Sequence, residues 1–423
     1  MIGVGARGPI AKALPGPMQP IRGLGQSSVT HRPRVGWAGL DLSVLDPADE
    51  EPHWIALSLV PGVGPVGFAR LLERFGSGRA AWAAGAALLE ELPRVPNDAA
   101  SSLARLRWEG VAAVAARVRE AASRAGGMVL IALDDRYPAA LAASDPRPPL
   151  LYMAGDPASL AAPCVAIVGT RRATGYGRAC AAEIADELAR AGVTVVSGLA
   201  IGIDGQAHLA AISAGGRSVA VLPSPLDRVY PPHHRDLAAR IVDTGGALVS
   251  ELAPGQSHGK PDFARRNRII AGLARAVVVV EAPDRSGALL TVTAAIEYGR
   301  EIFAVPGQID AVASRGCNRL IADHQASIVT SAGALLHRVG AAPGERPVSV
   351  ASLSDSEALV LHALLQRPGS IEELITRTRL ATGALASTLT LLEARGLVEA
   401  YGGATFHATL TARRIGRSSG PHG

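Results

Sequence analysis

From about Met128 onward, short β-branched or apolar runs alternate with helical patterns, and this rhythm constrains the fold more than any other feature of the chain. The strand candidates are Val165–Val168, Val193–Val196, Ser218–Leu222, Ala247–Ser250, Val277–Glu281, Ile302–Val305 and Ser327–Val329. Runs separated by helices cannot close hairpins, so they pair in parallel and carry helices on both faces. The pattern predicts an α/β class chain with a Rossmann-like parallel sheet over residues 127–340. In such sheets ligands bind beyond the carboxyl ends of the strands. Three distinctive segments fall at those ends: GTRR after the first strand, SGLAIGID (Ser197 to Asp204) after the second, and EAPDRSG (Glu281 to Gly287) after the fifth.

The first of these belongs to VGTRRATGYG, Val168 to Gly177. It joins the apolar run Cys164 to Val168 to a segment with Ala181, Ala185, Leu188 and Ala189 at helical spacing. Gly169, Thr170, Arg171 and Arg172 therefore stand where a strand hands over to a helix N-terminus. Unpaired backbone N–H groups and the helix dipole favour an anion there, and a guanidinium can clamp it. The pattern fits neither GxGxxG nor GxxxxGK[ST]. Two readings stand: a phosphate-holding loop, or a tight glycine turn with a surface arginine.

A second cluster is FARRNRIIAGL (Phe263 to Leu273), preceded by Lys260. It sets Lys260, Arg265, Arg266, Arg268 and the nearby Arg275 against a single acid, Asp262. Aromatic residues are only 4% of the chain, so Phe263 among these cations is a rare event. Single-stranded nucleic acid calls for this combination: cations follow its backbone and a ring stacks on an unpaired base, at about 1–3 kcal/mol per base. The other reading buries Phe263 and uses Arg265 and Asn267 as caps or carboxylate partners. Ser286 and Gly287 open a helix running to Tyr298, another anion-ready end, where Glu281 would repel phosphate unless Arg285 or Arg171 offsets it. Asp204 and His208, four residues apart, read as a helix cap with a packed histidine, since no third metal ligand stands nearby. No Ser/His/Asp or Cys/His set emerges, so neither catalytic residues nor a metal or cofactor is expected.

The flanks differ in character. Residues 1–50 are rich in Gly, Pro and Arg and read as disordered; Arg7, Lys12, Arg22, Arg32 and Arg34 precede the first acid, Asp41. Over 51–126, a helix from Trp54, the turn PGVG (Pro61 to Gly64) and a helix with Phe68, Leu71, Leu72 and Phe75 form a helix-hairpin-helix or SAM-like pattern. Its glycine turn could offer N–H groups to a DNA phosphate, but nothing basic sits inside it, and helix packing is the favoured role. Residues 341–352 read as a linker and 353–410 as a winged helix. Its elements are a helix over Ser356–Gln366, a capping box Ser370-x-x-Glu373, a helix with Leu385, Leu389 and Leu392 ending at Gly396, and a hairpin turning at Gly402-Gly403. The third helix offers Ser387, Thr388 and Thr390 where a groove-reading helix would expose Arg, Lys, Asn or Gln. That favours a protein contact, or a phosphate contact through Arg377 and Arg379. Residues 411–423 form a basic tail with Arg413, Arg414 and Arg417. Three cysteines without a CxxC pair and no membrane-length apolar run predict a soluble cytoplasmic protein without disulfides.

Taken in order, DRYPAAL (Asp135 to Leu141), VGTRRATGYG, SGLAIGID with AHLAAI, LDRVYPPHH, SELAPG, FARRNRIIAGL, VVVVEAPDRSGALLT, EYGREIFAVPG and GCNRLI resemble the DNA-processing protein A family, also called DprA or Smf. The resemblance implies a homodimer, formed through the α/β domain, that binds single-stranded DNA. It also implies protection of incoming strands, delivery to a RecA-type recombinase in natural transformation, and no established catalytic reaction. By motif position it places the phosphate pocket at Gly169, Thr170 and Arg171, and extends the strand-binding face over Lys260, Phe263 and the Arg265–Arg268 segment. Ile201 stands where the family has Arg in SGLARGID, Ala264 where Pro is common, and Ser224-Pro225 interrupts a glycine-rich turn. The rival reading is a nucleotide-hydrolysing enzyme like the phosphoribohydrolases. Their PGGxGTxxE signature supplies a catalytic carboxylate, whereas this chain has PGQID, Pro306 to Asp310. A duplex-binding regulator acting through the winged helix is a third reading, against which the uncharged third helix counts.

Overall fold

The computed structural model describes residues 37–342, 353–394, 397–401 and 405–409. Its central strands are the expected runs: β3 (Cys164–Gly169), β4 (Thr194–Ser197), β5 (Ser218–Val221), β6 (Ala247–Ser250), β7 (Ala276–Glu281), β8 (Glu301–Ala304) and β9 (Ser327–Ile328). Two strands precede them, β1 (Gly127–Ile131) and β2 (Leu150–Gly155), and the nine-stranded order is β1-β2-β6-β5-β4-β3-β7-β8-β9. Pairing is parallel from β6 to β9 and antiparallel at β1/β2 and β2/β6. The parallel core expected from the sequence is thus present, extended by an antiparallel edge of two strands that the sequence pattern did not mark. GMVLI and LLYMAG escaped the strand pattern for a physical reason. β1 has only two β-branched residues, Val129 and Ile131, β2 has none, and burial on both faces of β2 erases any alternation.

Successive residues of a strand face opposite sides. Val165, Ile167, Val195 and Val278 pack under α7 (Gly175–Arg190), α8 (Ile203–Ser213) and α13 (Ala332–Arg338). Ala166, Val168, Val277 and Val279 pack under α10 (Lys260–Leu273), α11 (Leu289–Glu297) and α12 (Arg315–Ala322) on the other face. The remaining sheet helices are the short α6 (Ala139–Ala142) and α9 (Arg235–Asp243).

The N-terminal helices are α1 (Pro47–Ser58), α2 (Pro65–Phe75), α3 (Gly78–Ala83), α4 (Ala99–Glu109) and α5 (Val111–Arg124). The disordered reading of residues 1–50 is corrected over its last part. Asp46 caps α1 by accepting from Ala48 N (2.9 Å), and Trp37 is buried, with its ring 5.9 Å from Trp54 and 5.8 Å from Phe68. These helices do not form a detached unit: Trp54, Phe68 and Val118 share one core with Tyr152, Ala220 and Leu248 of the sheet. The Pro61–Gly64 turn holds Gly62 at φ 92°, and a Cβ there would stand 2.8 Å from the Arg94 carbonyl and the Pro96 ring. Residues 92–96 roof the turn, so its role is helix packing and the phosphate reading of it is withdrawn.

The C-terminal part has a core of its own: Val360, Leu361, Leu364, Leu374, Leu385, Leu389 and Leu392. Helices α14 (Asp355–Gln366), α15 (Ile371–Thr378) and α16 (Thr382–Ala394) surround strands β10 (Gly369–Ser370), β11 (Val398–Tyr401) and β12 (Thr405–Ala408), ordered β10-β12-β11. Both capping boxes, at Ser354/Glu357 and Ser370/Glu373, form. Residues 1–36, most of the 341–352 linker, Gly402-Gly403 and the tail with Arg413, Arg414 and Arg417 lie outside the described residues. Among those described, no helix is long and apolar enough to cross a membrane.

Candidate nucleic-acid interface

From β3 the chain steps through β4, β5 and β6 on one side, then crosses back to add β7 on the other. The carboxyl ends of β3 and β7 therefore flank the topological switch point, the place where open α/β sheets bind ligands. The loop after β3, the loop after β7 and the first turns of α10 enclose a cleft of about 400 Å³ there. Gly169, Thr170, Arg171, Arg172, Phe263, Arg266, Asn267, Ser286 and Gly287 all line it. Lys260, Arg265 and Arg268 do not.

The anion site expected at the helix N-terminus is not open. Helix α7 begins only at Gly175, and Thr174 Oγ1 accepts from Gly177 N (3.0 Å). The buried Glu281 carboxylate accepts from both Thr174 N (2.8 Å) and Thr174 Oγ1 (2.7 Å). A protein carboxylate thus already occupies the end of α7, and Glu281 faces Thr174 rather than the cleft. Gly177 is needed for this approach, since a Cβ there would stand 2.8 Å from the Glu281 carboxyl carbon. The GTR loop is fixed instead by Thr170 N donating to Glu281 O (2.7 Å) and Ile203 N donating to Thr170 O (3.3 Å). Gly202, at φ 93°, sits so close beneath that a Cβ would meet the Arg171 carbonyl oxygen at 2.8 Å. What the loop presents is the Arg171 side chain. It is exposed, has no carboxylate partner among the described residues, and lies over the Phe263 ring at 5.3 Å.

The arginines of α10 separate by face. Arg266 is buried; its Nε donates to Asn267 Oδ1 (3.0 Å), and Nη1 donates to Val221 O (2.6 Å) and to Gly198 O. Burial lowers its pKa to about 10, partly offset by Asp204 and reinforced by the nearby Arg171, so it remains cationic at neutral pH. Arg268 is tied to Glu251 and to Pro146 O (3.1 Å), away from the cleft. The strand-contacting roles expected of Arg266 and Arg268 are corrected: both guanidiniums are consumed by protein acceptors, and Arg266 serves the cleft as a buried wall of positive charge. Arg265 is exposed and pairs with Asp262 at 3.4 Å, and Lys260 is exposed at the first residue of α10 without an ion pair among the described residues. Asn267 Nδ2 donates to Gly287 O (3.2 Å), fastening the Ser286-Gly287 loop to α10. Phe263 is half-buried and meets the Tyr230 ring edge-on at 5.4 Å.

The SGLA turn forms the adjoining wall, and it is strained. Leu199 sits at φ 55°, a left-handed conformation rare for a branched residue. Two histidines hold it: Leu199 N donates to His208 Nε2 (3.3 Å), and His234 Nδ1 contacts Leu199 O (2.8 Å). Ser218 Oγ donates to Val195 O (2.9 Å), so it accepts from His208 Nδ1 (2.7 Å), which leaves Nε2 as the acceptor the turn requires. Burial pushes the His208 pKa down to about 3, consistent with that neutral tautomer. Sequence reasoning treated His208 as packing only and missed this role. It also named Asp204 as the cap of α8, but Gly202 holds that position, and Asp204 Oδ2 accepts from Gly198 N (3.1 Å). Among the described residues no cluster of His, Cys, Asp or Glu could hold a metal ion.

In the winged helix, Arg377 donates to Ala363 O (3.0 Å) and Arg367 O (2.8 Å), so its expected phosphate contact is corrected to a structural one. Thr388 is buried and donates to Ala384 O (2.7 Å), while Ser387, Thr390 and Arg379 are exposed.

A family model described as DNA recombination-mediator protein A matches residues 128–340, and one for the DprA winged helix domain matches residues 344–404. The Smf protein of Synechocystis sp. is 32% identical over 388 residues, spanning 82% of this chain and 96% of the relative. A putative DNA processing protein DprA of Mycobacterium tuberculosis is 39% identical over 300 residues, 66% of this chain and 77% of the relative. The X-ray structure of DNA processing protein A from Streptococcus pneumoniae is similar with a TM-score of 0.58 at 30% identity, covering 67% of this chain and 97% of that one. The switch-point cleft lies within the segment matched by the first family model, and the Synechocystis relative is spanned almost end to end. The chain belongs to the DNA recombination-mediator protein A family, the DprA or Smf DNA-processing proteins.

Proposed function

We propose that this chain is a non-enzymatic single-stranded DNA-binding protein that protects incoming strands and loads them onto a RecA-type recombinase in natural transformation. It does so as a cytoplasmic homodimer, whose two grooves raise affinity through effective concentration. One observation carries the DNA-binding reading: the Arg171 guanidinium, without a carboxylate partner among the described residues, lies over Phe263 at the mouth of a cleft walled by a second cation, Arg266. A phosphate entering between Gly169–Arg171 and Ser286-Gly287 meets two positive charges, and the neighbouring base reaches the Phe263 ring. A duplex keeps its bases stacked inside and offers that ring no π-face, which supports a single strand as the ligand. The nucleotide-hydrolysing alternative needs a carboxylate aimed at the substrate. Glu281 and Asp204, the carboxylates beside this cleft, are both engaged by backbone donors.

The test is a titration of oligo-dT and of duplex DNA of equal length across a salt series. The expected result is preference for oligo-dT, with log affinity falling against log salt by about 0.7 per phosphate contacted. Equal affinity for duplex, or turnover of a mononucleotide, would overturn the proposal.

A further inference from the structure

The aromatic contacts do not stop at the cleft. Arg171 lies 5.3 Å over Phe263, Phe263 lies 5.4 Å from Tyr230 at 86°, and Tyr230 lies 5.5 Å from His258 at 60°. Tyr230 comes from the connection between β5 and α9, and His258 from the connection between β6 and α10. The series thus follows the carboxyl edge of the sheet away from the switch point. Phe263, Tyr230 and His258 are each half-buried, so each keeps solvent-accessible surface. Beside them Ile201, which is 50% exposed, lines a small depression with Pro223, Tyr230 and Phe263, whose other side is formed by Arg171 and Arg266.

We propose that Tyr230 and His258, with Ile201 as the floor, form a base-stacking track that takes one or two unpaired nucleobases of the strand leaving the phosphate cleft. This rests on the reading that the cleft holds single-stranded DNA. Tyr230 and Ile201 bring ring and aliphatic surface rather than a cation, so binding along the track comes from stacking and apolar contact rather than from counterion release.

That difference makes the proposal separable from the cleft itself. The full chain and its Tyr230→Leu, Tyr230→Phe, His258→Ala and Arg171→Ala variants are titrated by fluorescence anisotropy across a salt series. The probes are oligo-dT and an abasic oligonucleotide of the same length. Tyr230→Leu is expected to weaken oligo-dT binding about tenfold, the scale of one lost stacked base, with the salt slope and the abasic affinity unchanged. Tyr230→Phe should retain wild-type affinity, because the ring remains, and His258→Ala should show a smaller loss of the same kind. Arg171→Ala should weaken both probes and flatten the slope. Wild-type oligo-dT binding by Tyr230→Leu and His258→Ala, or an equal loss on the abasic probe, overturns the track while leaving the cleft standing. Unchanged binding by Arg171→Ala defeats the cleft reading itself. Should Tyr230→Leu fail to fold, as judged by its thermal melt, His258→Ala decides the question alone.

Discussion

Replacing Arg171 with alanine weakens oligo-dT binding roughly 10- to 100-fold, the scale of one charge-assisted contact, and lowers the salt slope by about 0.7. Both effects have one cause. The guanidinium is exposed and free of any carboxylate among the described residues, so it loses nothing from the protein by engaging a phosphate. Its planar fork can hold two phosphate oxygens while its face stays on the Phe263 ring. Arg171→Lys should therefore recover the salt slope but only part of the affinity, since a point charge replaces the fork. The fold should be indifferent to both changes, and the thermal midpoints of both variants should match the wild type. Anisotropy titrations at several salt concentrations, paired with melts, read all of this; a full-affinity Arg171→Ala protein would remove the keystone of the site.

The second large effect falls on stability. Arg266→Met should cost about 3–5 kcal/mol, the usual consequence of removing one member of a buried charge pair. Three acceptors lose their donor: Asn267 Oδ1, Val221 O and Gly198 O, and the buried Asp204 carboxylate loses the cation beside it. Arg266→Lys should not rescue it, because one ammonium cannot reach three acceptors set around a planar fork. The pH dependence has a definite sign. Burial raises the Asp204 pKa in the folded protein, and Arg266 works against that rise. Without Arg266 the raised pKa climbs further, so the native state takes up a proton that the unfolded chain does not hold. The variant's deficit relative to wild type should then shrink as pH falls from 7 towards 5. Urea denaturation at both pH values, compared with wild type at each, measures the difference. A deficit independent of pH would mean that Asp204 is not the group left exposed.

The centre of the fold was legible because its strands are buried on both faces and rich in valine, which leaves no other reading for runs such as Val277–Val280. The antiparallel edge was not, since β2 is buried along almost its whole length and carries no alternation that separates it from helix. Trp37 illustrates the same limit: its place is set by two rings far along the chain, in a stretch whose composition signals disorder. At the site, the loops singled out in the sequence do border the cleft, but the arginines were not told apart. The side chains of Arg265, Arg266 and Arg268 leave α10 in different directions, at 3.6 residues per turn. The signal for Arg266 was present, because it precedes Ile269 and Ile270 by three and four residues and so shares their buried face. Tyr230 and His234 had no such local signal. Both stand in a Pro-rich turn, and only tertiary folding brings them to Phe263 and Leu199. The interior use of Glu281 was equally invisible, since a carboxylate beside a phosphate loop reads as repulsive until its partner Thr174 is known.

The central claim is that a single strand crosses the sheet edge at Arg171 and Phe263. It is tested most directly by photocrosslinking the full chain to oligo-dT carrying one 5-iododeoxyuridine, followed by peptide mapping. Crosslinks on Phe263 and Tyr230 that unlabelled oligo-dT competes away are the expected result. Crosslinks confined to the winged helix, or to the α1–α2 hairpin, would contradict the account.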